Sequence, residues 1–358
     1  MAIRTLPVAG RPTEPPAPLR KIAIEEHFID PALEHPHYGD SFSGEFTQDD
    51  SGYGGFNPEF SKTVEARLHD LHHSRIEEMD AASIDLAILS HTIGGVEGIS
   101  DAAEAVRTAT RVNDFLAGEV AASKGRFAGF ATLPLQDVDA AVRELRRTVR
   151  ELGLVGVMVN GFTNLGEDQL YLDEPRFDPV WATLQELDVP LYLHPRLPAL
   201  AVQKAVYRGH PELVGAAWGF APETATHVLR IVYGGVFDRH PEAKLIIGHL
   251  GETLPFFAGR IQRAFEYNPY AQRTRHRLQD YLSANIWLTT SGNLNDQALI
   301  TSLLTVGGDH ILFASDYPYD MSTDAATWIE RAPISENDRR KICYDNAAAL
   351  FSLPPRKP

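Results

Sequence analysis

Eight short apolar segments recur along this chain, and a stretch with helical periodicity separates each one from the next. We predict strands at residues 21–28, 85–92, 127–133, 154–160, 190–195, 244–250, 286–292 and 311–318. We predict helices at residues 67–82, 102–123, 137–152, 178–187, 222–239, 253–265 and 295–304, and a C-terminal helix at 336–351. Strands that alternate with helices form βαβ units and a parallel sheet. Eight such units predict an α/β fold, a closed (β/α)8 TIM barrel rather than an open sheet.

The chain has 358 residues, which is enough for one large domain or two ordinary ones. Because no repeat or break in composition marks a second domain, we predict a single barrel domain at 21–358. Residues 1–20 are rich in proline and lack the apolar run of a secretion signal, so we interpret them as a flexible arm. The connection at 30–62 has little periodicity but many glycines and aromatic residues. We expect this long loop insertion after the first strand to form a pocket wall, a lid or a subunit contact.

Composition excludes some classes of partner. The net charge of −15 argues against nucleic acid and anionic membranes, which need a basic surface. An anionic small molecule is not excluded, because a local cation can dominate a pocket. The one cysteine, Cys343, rules out an internal disulfide and suits a reducing compartment, and we expect it in the core. No segment is apolar over the length of a membrane span, so we expect a cytoplasmic protein.

The first predicted strand carries two potential metal ligands at its carboxyl end. Side chains in a strand alternate between its faces, so Glu25 and His27 are expected on one face. By the same rule Ile22, Ile24 and Glu26 are expected on the other face. A carboxylate and a neutral imidazole that converge are natural ligands for a divalent cation. The alternative is an exposed strand end with charged residues.

Three further strands end in residues with the same chemistry: His194, His249 and Asp316. In a closed barrel the carboxyl ends of all strands surround one mouth. A single histidine at a strand end is more often structural than catalytic. Four strand ends of this kind on one rim predict a shared metal site.

These motifs, in the order EEHF, LYLHPR, IGHLGE and FASDYP, resemble the amidohydrolase superfamily. The resemblance covers residues 21–351. It is strongest to the decarboxylase branch, which includes the γ-resorcylate (dihydroxybenzoate) and aminocarboxymuconate-semialdehyde decarboxylases. The resemblance implies that Glu25, His27, His194 and Asp316 are the metal ligands. The superfamily's hydrolases open with His-x-His and often use a carboxylated lysine, whereas this chain has Glu-x-His, which favours a single metal ion.

The resemblance also implies roles for residues beyond the ligands. His249 corresponds to a catalytic histidine beside the metal, and Glu252 to the residue that orients it; helix capping is the alternative for Glu252. Arg260 matches an arginine that holds substrate, with an exposed salt bridge as the alternative. Phe28 and Tyr317 are expected in the wall of the substrate pocket. The family suggests a homodimer or a homotetramer.

Two imidazoles and two carboxylates suit Mn²⁺ or Zn²⁺, and Mg²⁺ less well. A 2-hydroxybenzoate can chelate such an ion, take up a proton at the carboxyl-bearing carbon and lose CO2. No organic cofactor is needed, because the protonated ring accepts the electrons. We expect Asp316 to donate the proton, with His249 as the rival.

The sequence therefore predicts a metal-dependent, non-oxidative decarboxylase of a small ortho-hydroxylated aromatic acid, which would act in reverse as a phenol carboxylase. Candidate substrates are 2,6- or 2,3-dihydroxybenzoate and salicylate. The main alternative is a single-metal hydrolase or hydratase that acts on a lactone, an amide or a related small acid. A mononuclear iron oxygenase and a binding protein without activity are weaker alternatives.

Overall fold

The computed structural model describes residues 19–32, 58–92, 94–271 and 274–353. Most of the expected N-terminal arm, residues 1–18, lies outside this part of the chain. So do residues 33–57, which make up most of the long connection expected after the first strand. The predictions for these two segments are therefore not addressed by the structure.

Eight parallel strands form one sheet, in the order β1-β2-β3-β4-β7-β8-β9-β10. Their bounds are β1 Lys21–Phe28, β2 Ile84–His91, β3 Phe127–Ala131, β4 Gly156–Asn160, β7 Leu191–His194, β8 Leu245–Ile247, β9 Ile286–Thr289 and β10 Ile311–Leu312. The sheet closes where Glu26 forms a parallel bridge with Tyr317, and the His27 amide donates to the Tyr317 carbonyl over 2.7 Å. The predicted (β/α)8 barrel is confirmed.

Helices connect successive strands and surround the barrel. They are α1 Pro58–His69, α2 Ser74–Ala81, α3 Ala102–Ala122, α4 Val138–Arg150, α5 Asp178–Leu187, α6 Leu200–Val206, α7 Phe220–Tyr233, α8 Val236–Arg239, α9 Leu254–Tyr267, α10 Leu278–Ala284, α11 Asp296–Val306, α12 Ser322–Arg331, α13 Glu336–Arg340 and α14 Asn346–Leu350. A π-helical turn, Lys341–Asp345, joins the last two. Within the described residues, no helix is both long and apolar enough to cross a membrane.

Several elements differ from those expected. The helix predicted at 67–82 is two helices, because the Asp70 carboxylate accepts from the amides of His72, His73 and Ser74 over 2.8–3.1 Å and ends the first helix. A small antiparallel hairpin, β5 Thr163–Leu165 and β6 Asp168–Leu170, follows β4 and was not predicted. The helices α6, α10 and α12 were also not predicted.

Two apolar layers hold the barrel together. The inner layer fills the barrel with one or two side chains from most strands, and α14 closes its amino-terminal end. This layer contains Ile22, Ile24, Ile88, Ala128, Phe130, Met158, Tyr192, Ile246, Leu312, Ala314, Ala347 and Phe351. The outer layer packs the other face of the strands against the helices. The barrel is therefore a filled core, and only its carboxyl-terminal mouth is free for polar groups.

The first strand departs from simple alternation. Ala23 pairs with Ala87 and Glu26 pairs with Leu89, so three steps along β1 match two along β2. This bulge resets the alternation of side chains between the faces. Ile22 and Ile24 therefore join the inner layer, and our expectation that they face away from Glu25 and His27 was wrong.

Candidate metal centre

Four side chains converge at the mouth of the barrel: Glu25, His27, His194 and Asp316. Each offers one ligand atom, and these atoms all lie within 4.8 Å of one another. His27 Nε2 is 3.3 Å from an Asp316 oxygen, and His194 Nε2 is 3.3 Å from Glu25 Oε1. The four residues come from β1, from the end of β7 and from the loop after β10, as their positions at strand ends predict.

The unsatisfied atoms of this cluster indicate what it binds. Glu25 Oε1 and His27 Nε2 are buried and have no hydrogen-bond partner among the described residues. Buried polar atoms without partners are costly, and metal coordination removes the cost. Two carboxylates and two imidazoles are the ligand types that Mn²⁺ and Zn²⁺ accept. The residues present therefore fit a divalent metal ion.

The two oxygens of Glu25 have different surroundings. The Tyr192 hydroxyl donates to Oε2, and the Thr289 hydroxyl donates to the same oxygen over 3.2 Å. Thr289 is itself 2.8 Å from the Ser291 hydroxyl. Burial and the nearby Glu25 charge keep the pKa of Tyr192 well above its ordinary value, so it remains a donor. The network fixes one oxygen and leaves Oε1 directed at the other ligands.

A second set of contacts lies behind the ligands, on the outer side of β1. Arg75 of α2 is buried and donates to the carbonyl of His27. The Ser315 hydroxyl, beside Asp316, donates to Glu26 over 2.5 Å. Burial raises the pKa of Glu26 to about 8, although Ser315 and the charge of Arg75 oppose the shift. These contacts connect the strand ends that carry His27 and Asp316.

His249 lies beside the four ligands and is paired with Glu252. Its Nδ1 is 2.6 Å from Glu252, and its Nε2 is 3.6 Å from Asp316 and 3.9 Å from Glu25. Burial alone would lower the pKa of His249, but the carboxylates of Glu252 and Glu25 raise it well above its ordinary value. The two carboxylates therefore favour the protonated form of an imidazole that faces the metal site.

The backbone around these residues is strained. His249, Leu250, Glu252 and Asp316 have φ between 50° and 69°, a region that non-glycine residues rarely adopt. Such conformations cluster at functional sites, where the surrounding structure maintains them. Gly292 faces them at a φ of 56°, and a Cβ there would lie 2.9 Å from the His249 ring. These backbone conformations thus bring His249 and Asp316 together, and they leave no room for a side chain at position 292.

Burial and charge oppose each other at the ligands. Burial alone would raise the pKa of Glu25, but the nearby imidazoles of His249 and His194 lower it. Burial would also raise the pKa of Asp316, but the nearby imidazoles of His249 and His27 take it well below its usual range. Burial lowers the pKa of His27. Ionised carboxylates and a neutral imidazole are the forms that bind metals.

A cavity of about 570 Å³ opens onto this cluster. Its described lining is Phe60, Ala216, Ala217, Trp218, Phe220, Ala221, His249, Glu252, Thr253, Gly292, Asn293, Asp316, Tyr319 and Asp320. The volume suits a small organic molecule such as a substituted aromatic ring. Aromatic side chains form part of the wall, and ionisable side chains are concentrated where His249 and Asp316 lie.

The residues expected to bind substrate lie elsewhere among the described residues. Arg260 is exposed on α9 and is not part of the cavity lining. Phe28 is buried and packs against His91 and Phe115. The ring of Tyr317 is buried under the guanidinium of Arg75, 4.6 Å from its carbon.

Sequence reasoning missed most lining residues of the cavity, among them Tyr319 and Asn293. Tyr319 lies near His27, with the ring centres 5.6 Å apart, and Asn293 donates to the His249 carbonyl over 3.1 Å. Tyr319 follows Asp316 by three residues, and this proximity was a usable signal. Asn293 lies in a loop, where the sequence gives no comparable signal.

Comparisons with known proteins identify the family of the chain. The sequence profile of the amidohydrolase family matches residues 27–353. The gamma-resorcylate decarboxylase of Rhizobium sp. (strain MTP-10005) is 42% identical over 337 residues, which cover 93% of this chain and 98% of that protein.

Two solved structures are similar over almost their whole length. One is a 2,6-dihydroxybenzoate decarboxylase complexed with 2,6-dihydroxybenzoate, with a TM-score of 0.84 and 41% identity, covering 94% of this chain and all (100%) of that chain. The other is a dihydroxybenzoic acid decarboxylase from Polaromonas sp. JS666 with bound manganese and the inhibitor 2-nitroresorcinol. It also has a TM-score of 0.84 and 41% identity, and the match covers 94% of this chain and 97% of that chain.

Proposed function

The chain belongs to the amidohydrolase family, and we propose that it is a metal-dependent, non-oxidative decarboxylase of a small aromatic acid with a hydroxyl group ortho to the carboxylate. The best candidate substrates are 2,6- or 2,3-dihydroxybenzoate and salicylate, and the reverse reaction would carboxylate a phenol. One observation carries the proposal: Asp316 of the four-ligand cluster and the His249–Glu252 pair line the same cavity. The similar proteins that carry the decarboxylase name add independent support.

Glu25, His27, His194 and Asp316 are the residues that would hold the metal ion. When bound, a divalent cation there supplies a positive centre for the carboxylate and the neighbouring hydroxyl of the substrate. The manganese in the similar Polaromonas structure supports Mn²⁺, with Zn²⁺ also compatible with the ligand set. No organic cofactor is required by this chemistry.

Loss of CO2 from such a ring needs a proton at the carbon that carries the carboxylate. The proton adds to that carbon, and the electron pair of the broken C–C bond returns to the ring as CO2 leaves. His249 holds a proton because Glu252 and Glu25 stabilise its charged form. We propose that His249 passes its proton to the Asp316 oxygen 3.6 Å away, and that Asp316 delivers this proton to the ring carbon and becomes ionised again.

The pocket and the assembly complete the proposal. Trp218 and Tyr319 would hold the ring, with Phe28 and Tyr317 supporting the wall from behind. Because Arg260 is exposed on α9, we propose that it binds substrate across a subunit interface of a homodimer or homotetramer. We also propose a cytoplasmic location, since the one cysteine is a free and buried thiol.

The direct test is CO2 release by enzyme loaded with Mn²⁺, measured without O2 or any redox cofactor. We expect turnover of at least one of 2,6-dihydroxybenzoate, 2,3-dihydroxybenzoate and salicylate. 3-Hydroxybenzoate and 4-hydroxybenzoate, which lack the ortho hydroxyl, are the matched control substrates and should not react. Inertness toward all three ortho-hydroxybenzoates would overturn the proposal.

A single-metal hydrolase or hydratase is the alternative that the same His249–Glu252 pair favours, since it could shuttle a proton from water. The product separates the two functions. Hydrolysis of small lactones or amides without CO2 would support the alternative.

A further inference from the structure

Charge is unevenly distributed in the cavity. His249 and Asp316, which is one of the four metal ligands, lie together in the lining of the cavity, and they mark the inner part of its wall. The reacting carboxylate of a substrate belongs there, because this is where positive charge can meet it. The outer part of the wall therefore contacts the edge of the substrate ring that lies opposite the reacting carboxylate.

Asp320 lies on this outer part. Its amide donates to the carbonyl of Asp316 over 3.1 Å, so it follows Asp316 by one turn of chain. Asp320 is exposed, whereas the side chain of Asp316 is only 15% exposed. Both residues line the cavity. Asp320 therefore presents a carboxylate between the metal ligands and the solvent.

The carboxylate of Asp320 has no Lys or Arg partner in the part of the chain that the structure describes. Asp320 makes no ion pair or side-chain hydrogen bond there, and the described cavity lining contains no Lys or Arg.

From this distribution we infer that Asp320 selects for aromatic monocarboxylates: it repels a second carboxylate on the edge of the ring opposite the reacting group. Neutral substituents at that edge, such as hydrogen, hydroxyl, methyl or amide groups, meet no such repulsion. A second carboxylate beside Asp320 would lose hydration and gain no Lys or Arg from the described cavity lining of its own chain. The inference rests on the proposed function, and it narrows the substrate class of the same site.

The test compares two ligands of nearly equal size. The first is 4-carboxysalicylate, which carries the second carboxylate para to the first, and the second is its neutral isostere 4-carbamoylsalicylate. Their Kd values are measured by calorimetry on the Mn²⁺-loaded enzyme, so the result does not depend on turnover. We expect the amide to bind at least about tenfold more tightly than the dicarboxylate.

Two variants assign the effect to one side chain. Asp320→Asn keeps the size of the residue but removes the charge, and it should reduce the preference for the amide to about threefold or less. Asp324→Asn is the matched control, because Asp324 is an exposed carboxylate nearby on α12 that does not line the cavity. This control should keep the full preference.

Three results would overturn the inference: equal affinity of the parent enzyme for both ligands, an unchanged preference in Asp320→Asn, or failure of the amide to bind at all. Failure of the proposed function gives a different signal. It would appear as absence of CO2 from every ortho-hydroxybenzoate, whichever ligand binds more tightly.

Discussion

The two ends of the barrel interior are built from the same strands but in opposite ways. The amino-terminal part is filled by apolar side chains such as Ile88, Phe130 and Met158, and α14 closes it. The carboxyl-terminal mouth carries buried ionisable groups, and several of its backbone residues are in the left-handed region. Both parts are buried, but only the mouth contains buried polar atoms, such as Glu25 Oε1 and His27 Nε2, that have no hydrogen-bond partner among the described residues.

The difference shows how the fold divides its tasks. Each non-glycine residue in the left-handed region costs about 1 kcal/mol or more, and buried polar atoms without partners add to the cost. The apolar interior and the helix layer offset these costs. Mutations at the mouth should therefore change chemistry with little loss of stability, and mutations in the interior should do the reverse.

The largest effect is expected at the mouth. Asp316→Asn removes a metal ligand and the proposed proton donor, and it should lower kcat/KM for decarboxylation at least about a thousandfold. Denaturant unfolding of the metal-free variant should show stability equal to or greater than that of the parent, because a buried charge is removed. Near-normal turnover in a variant that retains its metal would contradict the role of Asp316.

The apolar interior gives the converse result. Ile88→Ala should lower the free energy of unfolding by about 2–5 kcal/mol, because Ile88 is fully buried among the inner layer. Ile88→Val is the matched control and should cost only about 0.5–1.5 kcal/mol. Mn²⁺ affinity, measured on the folded fraction, should stay unchanged in both variants. A loss of Mn²⁺ affinity alongside the loss of stability would show that the apolar interior and the mouth of the barrel are energetically coupled.

An intermediate effect is expected from the contacts behind the ligands. Arg75→Met removes the donor to the His27 carbonyl while it keeps most of the buried volume. We expect Mn²⁺ affinity to fall about 10- to 100-fold, in the range found when groups that orient metal ligands are removed. Arg126→Met is the control. Arg126 donates to the carbonyls of Ile84 and Asp85 at the amino end of β2, away from the mouth. Equal losses of affinity in both variants would indicate a general effect of destabilisation.

The smallest effect concerns pH and a histidine of the helix layer. His227 is buried, its Nε2 accepts from the Leu172 amide, and burial lowers its pKa to about 3. Because the unfolded chain takes up this proton below about pH 6.5, stability should fall as the pH decreases from 6.5 toward 3. This group alone should contribute a loss of about 2 kcal/mol between pH 6.5 and 5.

The pH effect is checked by denaturant unfolding at several pH values. His227→Gln should reduce the slope of stability against pH in this range. An unchanged slope would show that other groups carry the acid sensitivity.

The sequence was most informative where local pattern and barrel topology coincide. The strands, their order and the convergence of Glu25, His27, His194 and Asp316 follow from apolar segments that end in chemically capable residues. Local irregularities in strands and helices were harder to predict. The bulge in β1 and the end of α1 at Asp70 both depend on contacts that periodicity does not encode.

The surroundings of individual side chains were also beyond the sequence. The surface exposure of Arg260 depends on the direction in which α9 leaves the barrel, and the unpartnered state of Asp320 depends on what surrounds it in space. Neither property follows from spacing along the chain.

The central claim is that four strand-end residues hold one metal ion. The most direct measurement is a titration of metal-depleted protein with Mn²⁺, followed by electron paramagnetic resonance, for the parent and for Glu25→Gln, His27→Ala, His194→Ala and Asp316→Asn. The account predicts one tightly bound ion per parent chain and a large loss of affinity in every variant. An ion that binds with parental affinity after loss of His27 or His194 would contradict it.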